Sequence, residues 1–206
     1  YLAPSYDESL SVNETRAKAM QVIADIFDTL NTFLPGRIGL FQDEFEPRAF
    51  GDNFQLAGTS TILVEAGGFK EDDEKQEIRK YFFMSILKGL LSISSASFRE
   101  KNISQYLDIP NNDKQIFHVL VHNVSVNGLT TSVGLNYEEV YIPSEQRTKK
   151  IYYVKDIGDL RYSNAYKTYE GSKQTINEFI SIDSLANLDL FENSKIILSF
   201  SNGILS

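Results

Sequence analysis

The chain has 206 residues, with 20 Lys and Arg against 28 Asp and Glu, a formal net charge of −8. A surface this acidic, without any basic cluster, argues against nucleic-acid binding, and no apolar run approaches the ~18 residues of a membrane span. Hydrophobic residues make up 42% of the chain, enough to pack one domain or two small ones, and the absence of cysteine removes both a disulfide frame and a thiolate metal site.

Tyr1 to Leu10 reads as a connection arriving from a preceding segment, and an opening without Met or signal-peptide features is expected of a piece cut from a longer protein. A processed N-terminus is the alternative. Ser11-Val12-Asn13-Glu14 has the form of a capping box, in which Ser and Glu satisfy free N–H groups reciprocally. Ala17, Met20, Ile23, Phe27, Leu30 and Leu34 then recur at helical spacing up to the Pro35-Gly36 stop. Arg37 to Phe41 reads as a short strand, and Gln42 to Gly58 as a long loop of the kind that often carries function.

Thr61 to Val64 is a continuous β-branched and aliphatic run, expected of a strand buried on both faces of a mainly parallel sheet. It ends at Glu65-Ala66-Gly67-Gly68. The acidic stretch Glu71 to Glu74 suits the positive end of a new helix, whose apolar stripe would be Ile78, Tyr81, Phe82, Ile86, Leu87 and Leu90. Beyond about residue 98 the texture changes to short runs rich in Val, Ile, Tyr, Phe and Thr: Gln115 to Val126, Leu129 to Tyr141, Lys149 to Val154, Ile176 to Ile182 and Lys195 to Phe200. Turn signals at Asn127-Gly128, Gly158, Glu170-Gly171 and Asn202-Gly203 separate them. The expected fold is α/β: a partial α/β sheet with flanking helices over residues 1–98, then a small antiparallel β-rich domain over 112–206.

Glu65 is the leading candidate for chemistry. A carboxylate closing a buried strand stands where open α/β sheets place ligands, and partial burial would tune it for general acid–base work. A solvated surface carboxylate, or one capping a neighbouring helix, is the bland alternative. Asp43, Glu44, Glu46 and Asp52 make the long loop acidic, which by itself reads as a solvated face. Arg48 among them either pairs locally or grips a ligand carboxylate. Phe41, Phe45, Phe50 and Phe54 either line an apolar pocket or pack a core. His118 and His122, the only histidines, lie in β-branched context, where a spacing of four residues separates them by about 13 Å and disfavours a shared metal. Three Asn-x-Ser/Thr triplets, at Asn13, Asn102 and Asn123, are common chance matches.

The stretch GDNFQLAGTSTILVEAGG, from Gly51 to Gly68, resembles the catalytic-glutamate segment of the zinc carboxypeptidase family, with Asp52, Gly58 and Glu65 on the family's Asp, Gly and Glu positions. The wider run over residues 2–95 resembles the carboxyl-terminal part of bacterial members, and the remainder the β appendage some of them carry. The resemblance implies peptide C-terminal hydrolysis with Glu65 as general base, Arg48 and Phe54 as substrate-binding candidates, and a peptide as substrate. It implies zinc in the full-length protein, held by a His-x-x-Glu and a further His upstream, and no metal ligand in this chain. The family's mobile Tyr has no counterpart between Tyr6 and Tyr81, where Phe residues occupy the loop. Bacterial members are often periplasmic or secreted. A non-catalytic peptide- or glycan-binding module on a degenerate peptidase fold is the alternative. A sheet lacking upstream strands is expected to expose apolar surface or to associate with another copy.

Overall fold

In the computed structural model, which describes residues 1–41, 44–112, 116–126, 128–171, 174–176, 180–192 and 195–206, the chain divides into two units. The first comprises residues 1–67 and 75–114, the second residues 68–74 and 115–206. Helices dominate the first and strands the second, so the chain holds both kinds of structure but largely segregated, and no strand longer than a one-residue bridge forms among the described residues of 1–98, where a partial α/β sheet was expected.

In the first unit, α1 (Glu14–Leu30) is capped by Asn13, whose side chain accepts the Arg16 N–H. The expected Ser11–Glu14 box does not form, because Ser11 instead donates its backbone N–H to Asp7 Oδ1 two residues before the cap. Met20, Ile23 and Leu30 are buried, with Ala19 and Ala24 beside them, each large side chain contributing about 1.5–3 kcal/mol. The loop from Gln42 to Gly58 contains α2 (Phe50–Leu56), a correction to the loop expected there. The third helix, α3 (Gln76–Ser95), is followed by a 3₁₀ turn (Ser97–Glu100) and by α4 (Ile103–Leu107) with its own Asn102/Gln105 capping box. Glu71 to Glu74 precede α3 instead of entering its first turn, where Glu77 is the acid.

The packing of α3 inverts its expected stripe. The face turned inward is Ser85, Gly89 and Ser92, small residues that let the backbone approach α1 closely; a Cβ on Gly89 would lie 3.3 Å from Ile26 Cδ1. Phe83 and Leu90 are 65% and 61% exposed, and Ile86, Leu87, Leu91 and Ile93 join them outside. The two helices are pinned by Asp25, which is buried on α1 and takes hydrogen bonds from Lys88 Nζ at 2.9 Å and Ser97 Oγ at 2.7 Å.

Neither Arg37–Phe41 nor Thr61–Val64 forms a named strand. Each joins a ladder one residue wide. Asn112 N–H donates to Leu40 O and Leu40 N–H to Pro110 O. The Tyr1 nitrogen donates to Gly39 O, and Phe41 N–H to Tyr1 O. Leu2 and Leu63 then exchange two hydrogen bonds as an antiparallel pair. Four extended segments thus lie in the order 110–112, 39–41, 1–2 and 62–64. The doubly buried parallel strand expected at Thr61–Val64 is overturned: Leu63 is exposed and Ile62 and Val64 only half-buried.

The second unit stacks two sheets. The strands are β1 (Ile116–Val126), β2 (Leu129–Ile142), β3 (Arg147–Gly158), β4 (Asn164–Glu170), β5 (Thr175–Ile176), β6 (Leu188–Glu192), β7 (Lys195–Ser201) and β8 (Ile204–Leu205). One sheet runs β3-β2-β1-β4, with β5 continuing beside β1; the other runs β6-β7-β8. The expected purely antiparallel unit is corrected here, since β4 and β5 lie parallel to β1. Val121, Val124, Val133, Leu135 and Val154 of the first sheet bury against Leu190, Leu198 and Phe200 of the second. Asn202 and Gly203, both at positive φ (49° and 77°), close the β7–β8 hairpin as a primed turn. Residues 177–179, within the expected strand Ile176 to Ile182, and Asn127 of an expected turn lie outside the described residues.

Two stability tests follow from these contacts. Burial opposes ionisation of Asp25, but hydrogen bonds from Ser92, Lys88 and Ser97 outweigh it and lower its pKa from 3.8 to about 2. A depressed carboxylate stabilises the fold fully above its unfolded pKa, and that contribution fades as pH falls toward about 2. Asp25→Asn should therefore cost about 2 kcal/mol at neutral pH by urea unfolding, the gap from the parent closing between about pH 4 and 2. In the second unit, a Cβ on Gly134 would stand 2.5 Å from Phe117 Cε1. Gly134→Ala should cost about 1–3 kcal/mol and lower Tm by several degrees, with much of the loss recovered when Phe117→Leu is added.

Candidate active site

The residues around Glu65 are organised by α2 and the N-terminal segment. Pro4 and Ser5 are buried, and Gly51 of α2 lies close enough that an added Cβ would meet Pro4 Cγ at 3.2 Å and Thr61 Cγ2 at 3.8 Å. Asp52, buried in the first turn of α2, accepts the backbone N–H of Glu46 at 2.7 Å and so folds the preceding loop back onto the helix. Arg16, also buried, donates from Nε to Ala3 O and from Nη1 to Leu10 O and Ser11 O. Desolvation by burial lowers its pKa, opposed by the charges of Tyr106, Asp7, Tyr6 and Asp52. Gly58, at a φ of 87°, makes the left-handed turn that brings the chain from α2 to Thr61, a conformation that strains any side chain with a Cβ.

Glu65 follows the Leu2–Leu63 pair by two residues and its side chain is exposed. Among the described residues it makes no hydrogen bond or ion pair. In an antiparallel pair, the groups of alternate residues point to opposite edges. Leu63 is satisfied by Leu2, so the N–H and C=O groups of Ile62 and Val64 face the other edge, where the described residues provide no ladder partner. Glu65 therefore sits at the end of an open strand edge, beside Ala66, Gly67 and Gly68, which add almost no side-chain bulk.

The other candidates do not gather around it. The Arg48 guanidinium forks onto both carboxylate oxygens of Glu46 at 2.9 Å, exposed and paired locally, and this contact lowers the Glu46 pKa. Phe54 and Phe50 are exposed on α2, while Phe41 and Phe45 are half-buried. No hydrogen bond among the described residues joins Glu65, Arg48 and Phe54. Asp43 lies outside the described residues.

Both histidines stand on β1, in the second unit. His118 Nδ1 is 2.9 Å from Asn136 Oδ1, and its ring packs 3.8 Å from that of Tyr137; His122 Nδ1 is 3.1 Å from Ser132 Oγ. Among the described residues no three His, Cys, Asp or Glu side chains form a group that could hold a metal ion. The described side chains do not assemble a zinc centre, and no chemical step is routed through one. Of the glycosylation triplets, Asn13 and Asn102 are spent on helix caps.

Sequence reasoning passed over Gln55. It reads as an ordinary polar residue of FQLAG, yet it is completely buried, with Oε1 accepting the Thr61 N–H at 3.0 Å and Nε2 without a partner among the described residues. No spacing or composition signal marks such a residue, because the polar partner is a backbone group six positions away.

Comparison with protein-family models, curated proteins and solved structures gives no match for this chain. No helix among the described residues is long and apolar enough to cross a membrane.

Because Glu65 is exposed and unpaired, its removal should leave folding intact. Glu65→Gln is expected to change unfolding free energy by less than about 0.5 kcal/mol, checked by thermal and urea denaturation of the 206-residue chain.

Proposed function

We propose that this chain is the carboxyl-terminal part of a zinc-carboxypeptidase-like protein that hydrolyses peptides at the C-terminus, with Glu65 as the base. The observation that carries the reading is the placement of Glu65: an exposed carboxylate directly after an aliphatic segment with one edge paired and the other open. The order Asp52, Gly58, Ile62-Leu63-Val64, Glu65, Gly67-Gly68 supports it, as does the use of Asp52 and Gly58 to shape the path into that segment.

Glu65 would take a proton from water as its oxygen bonds the scissile carbonyl carbon. It would return that proton to the leaving amine as the C–N bond breaks. The zinc that resemblance implies would be held by residues upstream of this chain and would supply Lewis-acid chemistry there. The uncovered apolar face of α3 and the open edge at Ile62 and Val64 are consistent with packing against such upstream structure. Arg48, as the structure has it, answers Glu46; gripping a substrate carboxylate would require that pair to open.

Two measurements test the reading. The 206-residue chain, given zinc and a peptide with a free C-terminus, should release no C-terminal residue above a Glu65→Gln control; turnover above it would refute the division of the site. In the polypeptide extended upstream, Glu65→Gln should lower kcat/KM by about 10²–10⁴ while zinc content stays the same. Activity near the parent rate would remove Glu65 from the chemistry.

A further inference from the structure

We infer that Gln55 is the positioning residue for Glu65: its side-chain carbonyl replaces a missing strand rung and fixes the segment that ends in the carboxylate. The inference rests on the peptidase reading for what Glu65 does, but not for how the segment is held.

Leu2 and Leu63 form a doubly hydrogen-bonded antiparallel rung. In such a ladder the next equivalent rung pairs residues two further along each strand, here Pro4 with Thr61. Pro4 has no N–H to give Thr61 O, so that rung loses one of its two backbone hydrogen bonds, the Thr61 N–H turns to Gln55 instead of Pro4 O, and the pairing stops after one residue. Thr61 N–H points to the same edge as Leu63 N–H, since groups two residues apart share an edge. At that place the structure puts Gln55 Oε1, 3.0 Å from Thr61 N. The side-chain carbonyl of α2 does for Thr61 what the backbone carbonyl of Leu2 does for Leu63.

The two anchors define the direction of the chain into Glu65. Thr61 is held by Gln55, Leu63 by Leu2, and the carboxylate follows two residues on. With Leu63 alone held, the segment can pivot about a single rung; with both, the extended line is fixed.

A second observation separates this role from ordinary packing. Because Oε1 must face the Thr61 donor, the amide nitrogen of Gln55 faces away, buried and, among the described residues, without a hydrogen-bond partner. Its desolvation is uncompensated, a cost that an apolar side chain of similar size would not incur. A residue kept only for stability would not be expected in this form, whereas a residue kept for its carbonyl accepts that amide as a by-product.

The test pairs Gln55→Leu, which removes the acceptor and the orphan amide together, with Gln55→Glu, which keeps an acceptor oxygen. In the 206-residue chain, amide hydrogen exchange at Thr61 should be at least tenfold slower than at Ser60 in the parent, at least tenfold faster in Gln55→Leu than in the parent, and restored in Gln55→Glu. Thermal midpoints of parent and Gln55→Leu should agree closely, because the lost hydrogen bond and the removed orphan offset one another. In the upstream-extended protein, Gln55→Leu should lower kcat about 10- to 100-fold with KM within twofold, and Gln55→Glu should recover most of it.

Thr61 exchange as fast as Ser60 in the unaltered protein, a comparison that needs no variant to fold, would overturn the clamp. So would exchange or kcat unchanged in Gln55→Leu. If Glu65→Gln keeps activity while Thr61 protection follows Gln55, the peptidase reading fails and the clamp stands.

Discussion

Everything around the candidate site hangs from the two hydrogen bonds between Leu2 and Leu63. They tie the N-terminal segment to the segment that carries Glu65, and they do so with a single rung because proline follows at position 4. That one pair decides which edge of Thr61–Val64 is closed and which is open. It also sets α2 in place, since its Gly51 abuts Pro4 and Thr61 and its Gln55 accepts the Thr61 amide beyond the single rung. The buried side chains beneath, Ala3, Met20, Ile23, Leu40 and Ile109, form the cluster on which the ladder rests.

Much of this was legible from residues and much was not, for identifiable reasons. The helical spacing from Ala17 to Leu30 is a local signal read by local geometry, and α1 follows it. The strands containing His118 and Tyr137 were likewise visible in β-branched and aromatic runs, although β3 extends further at both ends than the apolar run Lys149 to Val154. By contrast, β4 (NAYKTYE) and β6 (LDLFE) carry too many polar residues to stand out. The parallel pairing of β4 with β1 depends on a long return that no local pattern encodes. The aliphatic run Thr61–Val64 signals burial, yet half of that signal is left unanswered by the neighbours present.

The outward stripe of α3 has the same origin. A helix with Ser85, Gly89 and Ser92 on one face and Phe83, Leu87 and Leu90 on another offers two ways to pack. Periodicity alone favours burying the large side chains. Here α1 takes the small face instead, where Asp25, Lys88, Ser92 and Ser97 add charged hydrogen bonds to close backbone approach. Glu65 stood out as a candidate only through the pattern leading to it, and Gln55 was invisible because its partner is a backbone amide.

The second unit has a further property that comes from chain order. Residues 68–74 belong to it although 75–114 return to the first. Within that short stretch Glu71 N–H donates to Ala165 O, Asp73 pairs with Lys167 at 3.6 Å, and Gly68 lies so close to Tyr166 that an added Cβ would push the phenol aside. The β-rich body is therefore discontinuous in sequence, and no single cut can excise it whole. A polypeptide starting at residue 115 would lose the strip that lies along β4, leaving that margin bare to other chains.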